Sequence, residues 1–149
     1  MFEKILVPLD GSALAEEVFP YVLELAEKHG STLILLNVVE PIPTATGDGG
    51  VRIAISSEEY AKLTEETKQY LSNLVRSFTE LGINVESIID HGPVVSSIVG
   101  AAEREKVDLV AIASHGRTGV AHTMYGSVAA GLLYQIQRPL MVIRAQMKT

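Results

Sequence analysis

The sequence contains no cysteine. Disulfides, thiolate nucleophiles and cysteine-ligated zinc are excluded with it. Basic residues are in the minority: 12 Lys and Arg stand against 18 Asp and Glu, a formal net charge of −6. That balance argues against broad binding to nucleic acid or to an anionic membrane surface, both of which need basic surface. A local anion site built from backbone N–H groups needs no net positive charge. Long apolar runs are missing too. None approaches the roughly 18 residues that span a bilayer. The opening "MFEKILVPLD" puts charge at positions 3 and 4 before a short apolar run, unlike a signal peptide. A cytoplasmic location is the expectation. The four histidines show no H-x-x-x-H spacing, so a metal held by protein ligands is not expected.

What is present suits a folded domain. The 149 residues are 47% hydrophobic and 20% charged, and are expected to form one domain over 1–149 with one sizeable core. No second domain, linker, low-complexity tract or internal repeat is visible.

Four short apolar runs read as buried strands, at Lys4 to Leu9, Thr32 to Val39, Val107 to Ala113 and Leu140 to Arg144. A fifth strand is expected over Asn84 to Ile89, followed by a turn at His91-Gly92-Pro93. Between them lie segments with helical spacing. Ala13 to His29 carries Leu14, Val18, Tyr21, Val22 and Leu25 on one face, with Gly30 past its end and Pro20 inside as an expected kink. Ser56 with Glu59 resembles a capping box, opening a helix to about Leu81 that presents Tyr60, Leu63, Thr67, Tyr70, Leu71, Leu74 and Phe78. Pro93 starts a third helix to about Lys106, and Ser127 a short fourth one to about Ile136. Glu40 to Ile55, with two prolines, three glycines and no period, reads as a mobile or functional connection. The order β-α-β-α-β-α-β-α-β with continuous apolar strands implies an α/β fold with a parallel sheet covered on both faces.

In such a sheet a ligand sits beyond the carboxyl ends of the strands, where the winding reverses. Two loops compete for that edge. One is Leu9-Asp10-Gly11-Ser12, which also reads as a plain turn with a helix cap. The other is "ASHGRTGVAHTMYGS", Ala113 to Ser127, with three glycines, one arginine and no lysine. It matches neither G-x-x-x-x-G-K-[ST] nor G-x-G-x-x-G. Gly116 and Gly119 permit close approach of the main chain to a ligand. Gly126-Ser127 stands at a helix start, where unpaired N–H groups and the helix dipole favour an anion. A strand order of 3-2-1-4-5 would bring the two loops side by side, but spacing alone does not fix that order.

The spacing Ala113-x2-Gly116-x9-Gly126-Ser127 resembles the G-x2-G-x9-G-[ST] nucleotide motif of the universal stress protein family. "KILVPLDGS", "LLNVV", "SHGRTG" and "RPLMVIRA" are similar to that family as well, so the resemblance covers essentially the whole chain. It implies a doubly wound, Rossmann-like five-stranded parallel sheet of order 3-2-1-4-5, and ATP binding with Mg²⁺ held mainly by the phosphates. The residues it places around the nucleotide are Pro8, Leu9 and Asp10 after the first strand and Val38 in the second. After the fourth strand they are Ile112, Ala113, His115, Gly116, Arg117, Gly119, Gly126, Ser127 and Val128. Of these, Asp10 would lie near the nucleoside, and Val38 would hold adenine by its backbone. Two positions depart from the pattern: Ala113 stands where the motif has its first glycine, and Asn37 where a histidine is common. The resemblance also implies a homodimer through the Leu140 to Arg144 strand.

Three functions follow from this: a regulatory ATP-binding module of the stress response, a slow ATPase or phosphoryl-transfer enzyme, or an interaction module that needs no nucleotide. An enzyme must orient the attacking group, and no carboxylate lies near His115 in sequence to serve it as a base partner. Arg117 reads either as a solvated charge or as a clamp on the terminal phosphate. His91 and His122 read as surface residues, His29 as a complement to a helix dipole, and Met124 and Tyr125 as packing under the loop.

Overall fold

The computed structural model describes residues 1–40, 43–45, 51–53, 57–114 and 126–145. Strands β1 (Lys4–Leu9) and β2 (Thr32–Val39) have the bounds that the apolar runs predict. They are joined by a 3₁₀ turn, Ala15–Val18, and helix α1, Phe19–His29. The predicted helix from Ala13 therefore begins later. Pro20 falls in the first turn of α1, where its missing N–H costs no hydrogen bond, so no interior kink arises. Tyr21, expected on the buried face, is half exposed. Gly30 closes α1 at φ 66°, a conformation glycine adopts without steric cost.

The Glu40–Ile55 connection holds two short strands, β3 (Pro43–Ala45) and β4 (Val51–Ile53), paired antiparallel. Helix α2 spans Ser57–Glu80. Ser56, of the expected capping box, lies outside the described residues. Strand β5 runs Asn84–His91, two residues longer than predicted, because its ladder with β2 continues through Val39–His91. His91 is thus a strand end and not part of a turn. Helix α3 (Val94–Arg104) stops short of Lys106, whose φ of 53° is left-handed. Strand β6 (Leu109–Ala113), helix α4 (Gly126–Gln135) and strand β7 (Leu140–Ile143) complete the order, each within two residues of its predicted bounds. Among the described residues no helix is long and apolar enough to cross a membrane.

The main sheet is five-stranded and parallel, in the order β5-β2-β1-β6-β7. Counting these five strands alone, that is 3-2-1-4-5. Alternation along the strands sends side chains to two apolar layers. Ile5, Val7, Leu33, Leu35 and Ala111 pack with Val22 and Ala26 of α1 and Leu71 and Phe78 of α2. Leu6, Ile34, Leu36, Val110 and Ile112 pack with Ile98, Ala101 and Ala102 of α3 and Leu132 of α4. Burying each such leucine or isoleucine side chain stabilises the fold by about 1.5–3 kcal/mol.

The amino end of the β1–β6 pair is stapled. Asp108, just before β6, accepts hydrogen bonds from the Glu3 and Lys4 N–H groups at 2.8 and 3.1 Å, and its own N–H donates to the Lys4 carbonyl at 3.0 Å.

Helices α3 and α4 touch at Gly131. A Cβ there would lie 2.8 Å from Val95 Cγ2, whereas one at Gly100 of α3 would meet nothing within 4 Å. Both substitutions to alanine gain up to about 1 kcal/mol of helix propensity. Val95 is β-branched and cannot swing aside cheaply, so at residue 131 overpacking of about 1–3 kcal/mol opposes that gain. Gly100→Ala is expected to raise stability and Gly131→Ala to lower it. Urea unfolding of the two variants checks the opposite signs, and equal shifts would contradict this packing.

Candidate nucleotide site

The chain winds outward from β1 to β2 and β5, then returns to lay β6 and β7 on the other side of β1. The reversal therefore falls between β1 and β6. The ladder there is short. β1 pairs with β2 at six positions, Lys4 to Leu9, but with β6 at Ile5–Leu109 and Leu6–Val110. Continued at the same offset, Leu9 would come level with Ala113. The pairing covers the stapled amino end and leaves the carboxyl ends apart. A crevice at the carboxyl edge is where an open parallel sheet takes a ligand.

Three of the expected residues line the β1 side. Pro8 and Leu9 are buried at the end of β1, beside Leu36 and Asn37 of β2. Asp10 follows, half-buried. Its Oδ1 accepts from the Ser12 N–H at 2.9 Å and the Ser12 hydroxyl at 2.5 Å, while Ser12 Oγ accepts from the Ala15 N–H at 3.1 Å. Gly11 takes φ 84° to close the turn. The turn-and-cap reading of Asp10-Gly11-Ser12 is thus realised in the geometry, and it holds the carboxylate at the strand end.

On the β6 side, Ile112 and Ala113 are buried at the end of the strand, opposite Val142 and Ile143 of β7. Ala113 lies within the regular strand, so its methyl group requires no unusual backbone. Ser114 is buried as well. Its N–H donates to the Ile143 carbonyl at 2.7 Å, and its hydroxyl accepts from the Ala145 N–H at 3.3 Å. This link fixes the point at which the chain leaves β6. His115, Gly116, Arg117 and Gly119 lie outside the described residues, as do His122, Met124 and Tyr125. The described chain resumes at Gly126, the first residue of α4, with Ser127 exposed and Val128 half-buried against the α3–α4 layer.

Val38 lies near the end of β2, opposite Asp90, with its side chain against the α3–α4 layer. Asn37 beside it is buried. At the same edge Tyr60 of α2 donates to the Val39 carbonyl at 3.2 Å and lies 2.6 Å from His91 Nδ1. With the phenol proton given to Val39, His91 Nδ1 is the donor to the Tyr60 oxygen. His91 is exposed, as expected, yet tied to α2. A second tyrosine of α2, Tyr70, donates to a Glu16 carboxylate oxygen in the 3₁₀ turn. Burial, then the Glu16 hydrogen bond and charge, then the Asp10 charge push the Tyr70 hydroxyl far above the usual phenol range. Periodicity assigns Tyr60 and Tyr70 to an apolar face and misses both polar roles, since the partners are 31 and 54 residues away.

A family model described as the universal stress protein family matches residues 1–144. The chain belongs to the universal stress protein family. Universal stress protein MJ0577 of Methanocaldococcus jannaschii is 30% identical over 155 residues, covering 97% of this chain and 96% of its own. The solved structure of MJ0577 is similar with a TM-score of 0.83 at 29% identity, over 99% of both chains. Universal stress protein UspA from Lactobacillus plantarum has the same fold, with a TM-score of 0.76 at 20% identity over 96% of this chain and 98% of that one. So does a universal stress protein family protein from Arabidopsis thaliana with AMP bound, with a TM-score of 0.65 at 19% identity over 96% and 92%.

The Asp10 turn carries a stability prediction of its own. Ser12→Ala removes the acceptor for Ala15 and a donor to Asp10, and is expected to cost about 1 kcal/mol. Chemical denaturation measures it; an unchanged midpoint would mean that the hydroxyl is dispensable to the turn.

Proposed function

We propose that this universal stress protein is a single-domain regulatory module that binds ATP in the crevice between the carboxyl ends of β1 and β6. The observation that carries the reading is the convergence at one sheet edge of the Asp10 turn, the end of β6 and a chain that re-enters at Gly126 as a helix start. The G-x2-G-x9-G-[ST] spacing supports it, and so does a protein of the same fold that holds AMP. Asp10 would face the nucleoside, and the Val38 backbone the adenine. Ile112, Ala113, His115 and Gly116 would line the ribose and phosphates with Gly119, Gly126, Ser127 and Val128, and Arg117 would reach the terminal phosphate. N–H groups at the start of α4 suit phosphate oxygens without a lysine. Among the described residues no group of three or more His, Asp or Glu stands together, so a Mg²⁺ ion would rely mainly on the phosphates.

Isothermal titration with MgATP is expected to show saturable binding. Gly126→Val, which sets a branched side chain beside the phosphate donors, is expected to lose about tenfold or more in affinity, about the worth of one charge-assisted hydrogen bond. The absence of binding up to millimolar ATP would end the reading, and unchanged binding by Gly126→Val would end the phosphate cradle.

We further infer a homodimer through β7. This strand closes one edge of the sheet with Leu140, Met141, Val142 and Ile143, all half-buried. An exposed apolar edge invites pairing with a second copy. Light scattering is expected to give twice the chain mass, and Val142→Asp to shift it toward one; a monomer at working concentration, or a dimer indifferent to that charge, would refute the β7 interface.

A further inference from the structure

The turn that presents Asp10 is held from outside. The segment 10–18 contains one short 3₁₀ turn, a weak element by itself. Asp10 is fixed to Ser12, and Ser12 Oγ receives the Ala15 N–H. The next residue, Glu16, is half-buried and receives the Tyr70 hydroxyl. Tyr70 is itself half-buried in α2, where it packs against the layer formed by α1, α2 and one face of the sheet. An unbroken set of contacts therefore runs from the middle of α2 to the carboxylate at the end of β1.

We propose that Tyr70 is a positioning residue for the nucleoside: by holding Glu16 it keeps the 10–16 turn in the shape that presents the Asp10 carboxylate to the ligand. This rests on the nucleotide reading above. A carboxylate only accepts hydrogen bonds, so the groups it can take from a nucleoside are ribose hydroxyls or the adenine amino group. Its value depends on position, because a carboxylate displaced by an ångström makes a long, poorly aligned bond. The nearness of the Asp10 charge to the Tyr70 hydroxyl, seen in the upward shift of that phenol, places the two ends of the chain together. By reciprocity, an occupied site strengthens the hold of α2 on the turn.

The test is a double-mutant cycle on MgATP affinity, read by titration calorimetry of the full chain. Tyr70→Phe is expected to weaken binding by about three- to tenfold, the range for one hydrogen bond to a charged group. Asp10→Asn also weakens it. The double variant is expected to bind no worse than Asp10→Asn alone, since Tyr70 acts through Asp10. A general loss of structure would instead multiply the two effects. Glu16→Gln keeps an oxygen for the Tyr70 hydroxyl and is expected to stay within about twofold of the wild type, while Glu16→Ala behaves like Tyr70→Phe. This Glu16 pair decides the matter if Tyr70→Phe does not fold. Wild-type affinity in Tyr70→Phe, or multiplied effects in the double variant, overturns the positioning role alone. If the wild type itself does not bind, the nucleotide reading falls and this role with it.

Discussion

The place of β1 governs the molecule. It lies between β2, which follows it in the chain, and β6, which arrives after every other helix but one. Its residues must therefore be apolar on both faces, and Ile5, Leu6 and Val7 are fully buried. The same placement creates the reversal of winding. Asp108 ties the amino end of the β1–β6 pair together, and the ladder lapses toward the other end. A sheet closed at one end and parted at the other has one edge suited to a ligand. The side chains there are then selected by geometry: whatever follows Leu9 and Ala113 will face the crevice.

The strands were legible because a strand buried on both faces leaves a continuous apolar run. β1 and β2 match to the residue. The errors have separate causes. The helix expected from Ala13 fails because spacing at Leu14 and Val18 does not distinguish a 3₁₀ turn from the start of an α-helix. Pro20 signals the true start, and it can be read as an N-terminal proline as easily as a kink. The β3–β4 pair escaped because three-residue strands carry no period. β5 runs on to His91 through its pairing with β2, which local sequence does not record.

Site residues divide the same way. Those on the chain next to strand or helix ends, Asp10 and Gly126 to Val128, are readable from motif spacing. Those that support the site from another element are not. Tyr60 and Tyr70 look like two more apolar positions of an amphipathic helix, and most of each ring does pack as one. Their hydroxyls reach Val39, His91 and Glu16 only because α2 lies across the ends of β2, β5 and the turn after β1. No local pattern can encode that. A tyrosine at a core-facing position is nonetheless a cue, since its hydroxyl must find a partner if buried.

Electrostatics then sets which way a nucleotide could lie. The turn after β1 carries Asp10, Glu16 and Glu17 within eight residues, in a chain of net charge −6. Phosphates placed there would meet like charge at short range, where burial reduces screening. The start of α4 offers the opposite: N–H groups and the positive end of a helix dipole, with no acidic residue in its first turn. A ligand spanning the crevice is favoured with its phosphates toward α4 and its neutral, donor-bearing nucleoside toward Asp10. The acidic turn thus does more than tolerate the ligand's uncharged end. It makes the reversed orientation unfavourable, which a lysine-rich cradle embracing the whole crevice would not do.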